Sequence, residues 1–312
     1  MRVVFWGTPE FATASLRALL GEGHDVLAVV TQPDRPVGRH RSTLMAPEVK
    51  RVAESEGIHV IQPESSRSTA LLDELRNLSP DIFVVVAFGQ ILPAAIIDLP
   101  PHGTINVHAS LLPRLRGAAP MQAAIREGLD HTGVTVMQMV AKLDAGPIIL
   151  QQATPIHADE TFGELQLRLS ELGALSLIEA LILISLGKSD ARRQDESEAT
   201  YAPRITRADA RIEWDSHCMD VARCIRAFDP RPGSFTNRGD AEVRLFGARI
   251  DENRTGEAGA VLEVGDAGLV VACGSGSVNI AYVHPAGRKR MTALDWLKGR
   301  GVAVGDVLGT GS

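Results

Sequence analysis

The run DIFVVVAF (residues 81–88) decides the fold class of this chain. Its apolar side chains are continuous rather than alternating, which is typical of a parallel strand in a sheet covered on both faces. Other apolar runs lie before and after it, and segments with helical spacing separate them. These runs are RVVFW (2–6), DVLAVVTQ (25–32), HVIQP (59–63) and TINVHAS (104–110). The alternation predicts an α/β fold with a doubly wound, Rossmann-like, mostly parallel sheet.

The character of the sequence changes after residue 189. A helix predicted over residues 161–187 is followed by a polar, charged stretch without apolar periodicity. Beyond that stretch, short apolar runs punctuated by glycine indicate closely spaced antiparallel strands. The sequence therefore predicts a first domain at 1–189, a linker at 190–205, and a smaller C-terminal β-barrel-like (OB-type) domain at 206–312.

The composition is that of a globular chain with sizeable cores, at 45% hydrophobic and 22% charged residues. Its longest apolar stretch, residues 174–186, contains Glu179 and is shorter than the roughly 20 residues that a membrane-spanning helix needs. The opening MRVVFWGTPEF is unlike a secretory signal. The three cysteines form no CxxC pair, so a disulfide framework or structural zinc is not expected. We expect a cytoplasmic protein without membrane contact.

The net charge of −6 argues against bulk binding of nucleic acid. The acidic excess lies before residue 204, so contact with a polyanion must use local basic clusters. Two clusters qualify: Arg35, Arg39, His40 and Arg41 in one loop, and Arg288, Lys289 and Arg290 near the end of the chain. By charge alone, a solvated surface loop is the favoured interpretation of each.

A polar pair occurs at the carboxyl end of the predicted strand TINVHAS. Asn106 and His108 are two residues apart, so their side chains leave the same face of a strand. Open α/β sheets bind ligands beyond the carboxyl ends of their strands. Residue type alone leaves open whether the pair forms a site or a hydrogen-bonded strand end. A dinucleotide site is less well supported, because the first strand is followed by Gly-Thr-Pro rather than GxGxxG.

Motifs distributed over nearly the whole chain carry a family resemblance. They are GTPEFA (7–12), TQPDRPVGR (31–39), AFGQILP (87–93), INVHASLLPRLRGAAP (105–120), LDAGPI (143–148), CIRAFDPRPG (224–233) and PAGRKRM (285–291). Together they resemble the folate-dependent formyltransferases, and within them the members that act on methionyl-tRNA. The pattern NVHxSLLPxxRG followed by LDxG is highly specific. The resemblance makes residues 1–189 the expected catalytic domain.

The resemblance implies that Asn106, His108 and Asp144 form the reacting centre. Attack of an amine on a formyl carbon builds negative charge on the formyl oxygen, which an amide N–H and a protonated imidazole can stabilise. Asp144 is expected to keep His108 charged and oriented, and to relay the proton that the amine loses. By itself, Asp144 in Asp-Ala-Gly would be interpreted as a turn residue. The chemistry requires no metal.

The implied formyl donor is 10-formyltetrahydrofolate, a cosubstrate with a flat heterocycle that suits an apolar slot. Its expected site residues are Ser110, Leu111, Leu112 and Pro113, with Phe88, Ile91 and Leu92 flanking the pterin ring. For Phe88, Ile91 and Leu92, ordinary core packing is an equally good interpretation.

The implied acceptor is initiator methionyl-tRNA. The loop at 33–47 is long for a connection inside a compact α/β unit, and such loops tend to be functional or disordered. Arg39 matches the basic residue that enters the acceptor stem in this family, and Arg35 and Arg41 are expected to support phosphate contacts. Further tRNA contacts are expected from Arg288, Lys289 and Arg290 in a C-terminal tRNA-binding domain.

Sequence leaves alternative functions open. Glycinamide ribonucleotide formyltransferases share the Asn-His-Asp centre but consist of a single domain. A formyltransferase that acts on a nucleotide-linked amino sugar can carry a similar second domain. A non-catalytic RNA-binding protein on the same fold belongs to a different class, and the intact Asn-His-Asp trio argues against it. From the family alone we expect a monomer.

Overall fold

The computed structural model describes residues 1–37 and 43–309. The strands are β1 (Arg2–Gly7), β2 (Asp25–Val30), β3 (Arg35–Val37), β4 (Thr43–Met45), β5 (Val60–Ile61), β6 (Ile82–Val86), β7 (Thr104–His108), β8 (Arg116–Gly117), β9 (His131–Gln138), β10 (Ile148–Pro155), β11 (Tyr201–Ala202), β12 (Ser234–Arg238), β13 (Ala241–Asp251), β14 (Val261–Gly265), β15 (Gly268–Ala272), β16 (Ser277–Pro285) and β17 (Met291–Thr292). The helices are α1 (Thr13–Gly21), α2 (Glu48–Ser55), α3 (Thr69–Leu78), α4 (Ala94–Ile97), α5 (Pro120–Arg126), α6 (Phe162–Ser185), α7 (Cys218–Ala227) and α8 (Ala293–Lys298).

The larger sheet of the described chain has the strand order β10-β9-β7-β6-β1-β2-β5. The central strand β1 pairs in parallel with β2 on one side and with β6 on the other, and β5 and β7 extend the parallel sheet outward. Strand β9 joins antiparallel to β7. Because the strand order reverses between β1 and β6, the crevice expected of a doubly wound sheet opens at their carboxyl ends. The predicted α/β class with a mostly parallel sheet is confirmed.

The apolar runs that predicted these strands form the core of the sheet. Every residue of β6 is buried, as expected for a strand covered on both faces. Helix α3 begins at Thr69, because the Ser68 side chain accepts the Leu71 N–H and so caps the helix. Its buried Leu71 and Leu75 pack in the same cluster as Phe83 of β6. Burying one leucine side chain contributes about 1.5–3 kcal/mol, so this face holds α3 on the sheet.

The second described sheet is antiparallel, with the order β12-β13-β16-β15-β14 and with β17 alongside β16. Its apolar face shares one core with two helices. Val221 and Ile225 of α7 and Trp296 of α8 lie in the same cluster as Leu245 of β13 and Val271 of β15. The predicted β-rich C-terminal domain is therefore confirmed as an antiparallel β domain.

The chain packs into two compact units that are not contiguous in sequence. The first comprises Met1–Gly117, Thr132–Thr154 and Gln166–Ala202, and the second comprises Ala118–His131, Pro155–Leu165 and Pro203–Ser312. The division into domains at 1–189 and 206–312, with a linker at 190–205, stays a prediction. Among residues 1–37 and 43–309, no helix is long and apolar enough to cross a membrane.

Candidate active site

Strand β7 places two polar side chains of the predicted reacting centre on one face of the sheet. Asn106 and His108 alternate with apolar neighbours, so both side chains leave in the same direction. His108 is the last residue of the strand, and Asn106, two residues earlier, is half-buried. The antiparallel neighbour β9 sets Met137 opposite Asn106 and Thr135 opposite His108. The pair therefore lies at the carboxyl end of a strand beside the crevice, where sheets of this kind bind their ligands.

The His108 ring is buried and has a partner on each side. Its Nε2 lies 3.0 Å from the carbonyl oxygen of Leu115. Because a carbonyl can only accept, Nε2 carries the hydrogen and donates it. Its Nδ1 faces Oδ2 of Asp144 at 3.8 Å. At this distance the ring and the carboxylate lie within ion-pair range but beyond hydrogen-bond length, so Asp144 can orient the ring and balance a positive charge on it.

The turn that follows β9 carries Asp144, and a backbone N–H of β8 holds its carboxylate. Asp144 has a left-handed backbone conformation with φ of 49°, which aspartate adopts more readily than most residues. Its Oδ2, the oxygen that faces His108, accepts the N–H of Gly117 at 2.8 Å. The Asp144 side chain is 10% exposed. The structure thus brings His108 and Asp144 together, with one carboxylate oxygen shared between the ring and a fixed amide.

Glycine is required at position 117 by a close approach of two backbones. Strand β8 pairs with β11, and a Cβ on Gly117 would lie 2.5 Å from the carbonyl oxygen of Ala202. Gly117 also has φ of 119°, which favours glycine. The N–H that holds Asp144 is therefore positioned by a backbone contact that no other residue type would allow.

Hydrogen bonds along its length hold the loop between β7 and β8. The Ser110 hydroxyl donates to the carbonyl of Arg114 at 2.6 Å. The Thr135 hydroxyl donates to the Ser110 carbonyl at 2.7 Å and accepts the Leu112 N–H at 3.1 Å. The Gln151 amide donates to the Leu112 carbonyl at 2.7 Å. Because these polar groups are satisfied inside the protein, the loop has little freedom to rearrange.

This loop contains the first group of predicted folate contacts. Ser110 and Leu112 are buried, and Leu111 and Pro113 are half-buried. Leu112 packs in a small apolar cluster with Met137 and Ile148. The role of all four residues in folate binding stays a prediction.

The three residues predicted to flank the pterin ring differ in exposure. Phe88 and Leu92 are buried in the core cluster that contains Trp6, and the Phe88 ring meets the Trp6 ring edge-on with centroids 5.1 Å apart. Ile91 is 74% exposed. Of the three side chains, that of Ile91 offers free surface to a ligand, whereas those of Phe88 and Leu92 support the sheet. Their assignment to the folate site stays a prediction.

The structure describes only part of the basic loop that is predicted to contact tRNA. Arg35 is exposed at the start of β3, which pairs antiparallel with β4 so that Arg35 stands opposite Met45. A short strand pair therefore lies within the predicted long loop. Arg39 and Arg41 lie outside the described residues.

The second basic cluster occupies the turn between β16 and β17. Arg288 and Lys289 are exposed there. The Arg290 guanidinium lies over the rings of Phe246 and Tyr282, 4.3 and 4.8 Å from their centroids, which is a cation–π geometry. It also lies 3.6 Å from Oδ1 of Asp229. Burial raises the pKa of Asp229 above its usual range, although the Gly247 N–H and Arg290 act to lower it. Arg290 is thus held in place, and Arg288 and Lys289 present free charge.

Sequence reasoning missed a buried guanidinium beside the site. Arg116 is fully buried and pairs with Glu196 at 3.1 Å, within the stretch interpreted as a linker. Residues Tyr201–Ala202 form β11 against Arg116–Gly117. A signal was present, since an arginine among the apolar residues of INVHASLLPRLRGAAP needs an acceptor when it is buried. The acceptor lies far away in the sequence, so the local pattern could not identify it.

No group of three or more histidine, cysteine, aspartate or glutamate side chains in residues 1–37 and 43–309 is placed to hold a metal ion.

Comparisons with known proteins agree over nearly the full length of the chain. Residues 1–181 match the family model described as "Formyl transferase", and residues 204–301 match the model described as "Formyl transferase, C-terminal domain". The chain is 45% identical to a protein named methionyl-tRNA formyltransferase from Moorella thermoacetica, over 99% of both chains.

Two solved structures of the same fold are more distant in sequence. HypX from Aquifex aeolicus, in complex with tetrahydrofolic acid, superposes with a TM-score of 0.68 at 20% identity, over 95% of this chain and 47% of that one. An N-formyltransferase from Helicobacter canadensis, in complex with folinic acid and dTDP-3-aminofucose, gives a TM-score of 0.66 at 20% identity, over 89% of this chain and 97% of that one. At these identities the likeness shows the fold alone.

Proposed function

The chain belongs to the methionyl-tRNA formyltransferase family, and we propose that it transfers the formyl group of 10-formyltetrahydrofolate to the free amino group of initiator methionyl-tRNA. The product, N-formylmethionyl-tRNA, is used in translation initiation. The observation that best supports this proposal is the His108 ring between the Leu115 carbonyl and the Asp144 carboxylate, at the carboxyl end of the strand that also carries Asn106.

Asn106 and His108 stabilise the charge that develops during the reaction. The amine nitrogen attacks the formyl carbon, a C–N bond forms, and the carbonyl oxygen becomes negative. The Asn106 amide donates a hydrogen bond to that oxygen and a protonated His108 stabilises it by its positive charge, and groups fixed in advance cost no reorganisation when the negative charge appears. The bond between the formyl carbon and the folate nitrogen then breaks, and the carbonyl reforms.

Asp144 balances the charge on His108 and takes part in proton transfer. The amine nitrogen loses a proton as it becomes an amide, and the departing folate nitrogen gains one. A carboxylate beside the reacting nitrogen can accept the first proton and return it to the leaving group. The Gly117 N–H holds Oδ2 of this carboxylate at 2.8 Å, so the relay starts from a defined position.

The folate cosubstrate is proposed to bind along the loop that carries Ser110, Leu111, Leu112 and Pro113. The hydrogen bonds of that loop fix backbone groups at the edge of an apolar surface, which is what a flat heterocycle requires. Ile91 supplies exposed apolar surface, and Phe88 and Leu92 lie behind it in the core.

Recognition of tRNA is proposed to use basic side chains on two segments. Arg35, Arg39 and Arg41 would contact the acceptor stem, and Arg288, Lys289 and Arg290 would contact the tRNA from the domain at 206–312. Exposed arginine and lysine bind phosphates without reading sequence, so these residues would orient the tRNA rather than select its bases. We further propose that the protein acts as a monomer in the cytoplasm, where three free thiols remain reduced.

A direct test compares acceptors with the purified protein and 10-formyltetrahydrofolate. We expect formylation of initiator methionyl-tRNA, detected as a change in tRNA mobility on an acid gel. We expect no transfer to a dTDP-linked amino sugar. Transfer to the sugar nucleotide alone would contradict the proposal. Tight tRNA binding without transfer to either acceptor would instead support a non-catalytic RNA-binding protein.

A further inference from the structure

We propose that Gln194 is a positioning residue that fixes Asp144 for the reaction by holding the backbone of the turn that carries it. The inference rests on the proposed role of His108 and Asp144. Gln194 lies in the stretch that sequence alone interprets as a linker. Its side-chain Nε2 donates to the carbonyl oxygens of Asp144 and Gly146, each at 2.8 Å. Two anchors on one short turn restrict both its position and its orientation.

The turn needs such support because its backbone is unusual. Asp144 has φ of 49°, a left-handed conformation that is uncommon outside glycine, although aspartate tolerates it better than most residues. A Cβ on Gly146 would lie 1.7 Å from the carbonyl oxygen of Gln138, so the turn closes tightly onto the end of β9. A strained conformation persists only where its surroundings hold it. Gln194 supplies part of that restraint.

Gln194 is itself fixed by a buried charge. Its Oε1 accepts hydrogen bonds from Arg116 Nε at 3.2 Å and Arg116 Nη2 at 2.7 Å. The same guanidinium donates to both carboxylate oxygens of Glu196, each at 3.1 Å. Burial acts to lower the pKa of Arg116, but hydrogen bonds to Glu196 and Tyr201 raise it overall, so the group stays charged. A buried guanidinium whose three nitrogens all donate hydrogen bonds has one favourable geometry. It is therefore a rigid support for the Gln194 side chain.

These contacts join both the Asp144 carboxylate and the backbone of its turn to strand β8. Arg116 is followed in the chain by Gly117, whose N–H binds Asp144 Oδ2 at 2.8 Å. The carboxylate is thus anchored to β8, and the backbone behind it is anchored through Gln194 to the same strand. Without Gln194 the carboxylate would keep its Gly117 contact, while the turn would lose two hydrogen bonds. A displacement of about 1 Å at a reacting group can cost roughly 100-fold in rate.

An amide is the side chain that can make all of these contacts. It accepts from Arg116 through oxygen and donates to two carbonyls through nitrogen. Glutamate would keep the Arg116 contact but would face the two carbonyl oxygens with another acceptor. Methionine would keep most of the shape and lose the hydrogen bonds. Gln194→Met and Gln194→Glu should therefore both loosen the Asp144 turn.

The first experiment measures steady-state formylation of initiator methionyl-tRNA by these two variants. We expect kcat to fall about 10- to 100-fold, with KM for both substrates within about threefold of wild type. The matched control is Gln152→Met, which removes the hydrogen bond from Gln152 of β10 to Glu179 and should leave kcat unchanged. Thermal unfolding of each variant checks that the chain is folded. A wild-type kcat in both Gln194 variants, or a loss confined to KM, would overturn the proposal.

The second experiment separates positioning of Asp144 from a general structural role. In single-turnover reactions, Gln194→Met should slow the Asp144→Asn variant by less than about twofold, because residues that act through one another are not additive. An equal factor in both backgrounds would contradict the inference. A wild-type protein without transfer to methionyl-tRNA would overturn the proposed function and this inference together. An active wild type, an impaired Asp144→Asn variant and a normal Gln194→Met variant would overturn this inference alone.

Discussion

The loop of residues 109–117 and the turn of residues 286–290 both carry basic and polar side chains, but they use them differently. In the loop, the buried Arg116 is paired with Glu196 and the Ser110 hydroxyl has a backbone acceptor. In the turn, Arg288 and Lys289 remain exposed. A buried polar group must find a partner or lose several kcal/mol, roughly 2–7 for an amide or hydroxyl, so burial fixes geometry. An exposed cation keeps its freedom and offers only charge. Under the proposed function, the fixed loop positions the reacting centre and the exposed cations of the turn attract tRNA.

Asp144→Asn, which alters the carboxylate held by the loop, should cause a far larger loss of turnover than any change in the turn of residues 286–290. The substitution keeps the shape but removes the negative charge that faces His108 Nδ1 at 3.8 Å. Loss of one preorganised electrostatic contact typically costs about 100- to 1000-fold, and we expect kcat to fall by that factor. Steady-state kinetics at saturating substrates measure it. A variant within about threefold of wild type would remove Asp144 from the mechanism.

Gly117→Ala should have the next largest effect, because it disturbs the backbone amide that holds Asp144. The new Cβ would lie 2.5 Å from the Ala202 carbonyl oxygen, and φ of 119° is unfavourable for alanine. We expect the free energy of unfolding to fall by about 1–3 kcal/mol, together with a drop in kcat. Urea denaturation and kinetics test both. The control is Gly103→Ala, which shares a positive φ of 71° but has open space around its Cβ, and it should lose stability without losing the contact to Asp144.

Arg288→Ala combined with Lys289→Ala should weaken tRNA use and leave the chemistry intact. Each lost phosphate contact flattens the dependence of log KM on log salt by about 0.7–0.9. We therefore expect KM for methionyl-tRNA to rise several-fold at low salt, with kcat and folate affinity unchanged. Kinetics at two salt concentrations measure the effect. A fall in kcat with an unchanged salt slope would mean that this turn contributes to the chemistry, as the loop of residues 109–117 does. The contrast between the two segments would then be lost.

Glu196→Gln should give the smallest effect, and its size should depend on pH. Hydrogen bonds from Arg116 and Lys142 lower the pKa of Glu196 from 4.5 to about 2 in the folded chain. A carboxylate with a depressed pKa stabilises the fold fully above its unfolded pKa and loses that contribution as pH falls toward the folded value. The stability advantage of the wild type over Glu196→Gln should thus be constant above about pH 5 and shrink between pH 4.5 and 2. Urea denaturation at pH 7 and 3.5 measures it, and an advantage that grows at the lower pH would contradict the assignment.

Local sequence patterns predicted the elements of the fold well, because hydrophobic periodicity acts over a few residues. The run at 81–88 became β6 (Ile82–Val86), and the helix predicted over residues 161–187 became α6 (Phe162–Ser185). The same patterns could not tell a core residue from a ligand contact. Phe88 and Leu92 are equally apolar in either role, and the structure places both in the core.

The polar contacts of the candidate site could not be predicted from local sequence patterns. Gln194 and Arg116 are separated by 78 positions, and nothing periodic marks the stretch that contains Gln194. Asp144 was identified by resemblance and not by its own surroundings, which resemble an ordinary turn. Pairings between distant polar side chains depend on the finished fold, since the partners meet only when β8, β11 and the Asp144 turn are in place.

In the proposed mechanism, the His108 and Asp144 pair carries out the chemistry of formyl transfer. The most direct test is the single-turnover rate of formylation of methionyl-tRNA by His108→Ala, with both substrates saturating and folding verified by thermal unfolding. Because His108 is proposed to stabilise the oxyanion, we expect a rate about 100- to 1000-fold below wild type with unchanged binding of both substrates. A folded His108→Ala variant that transfers formyl at the wild-type rate would contradict the claim.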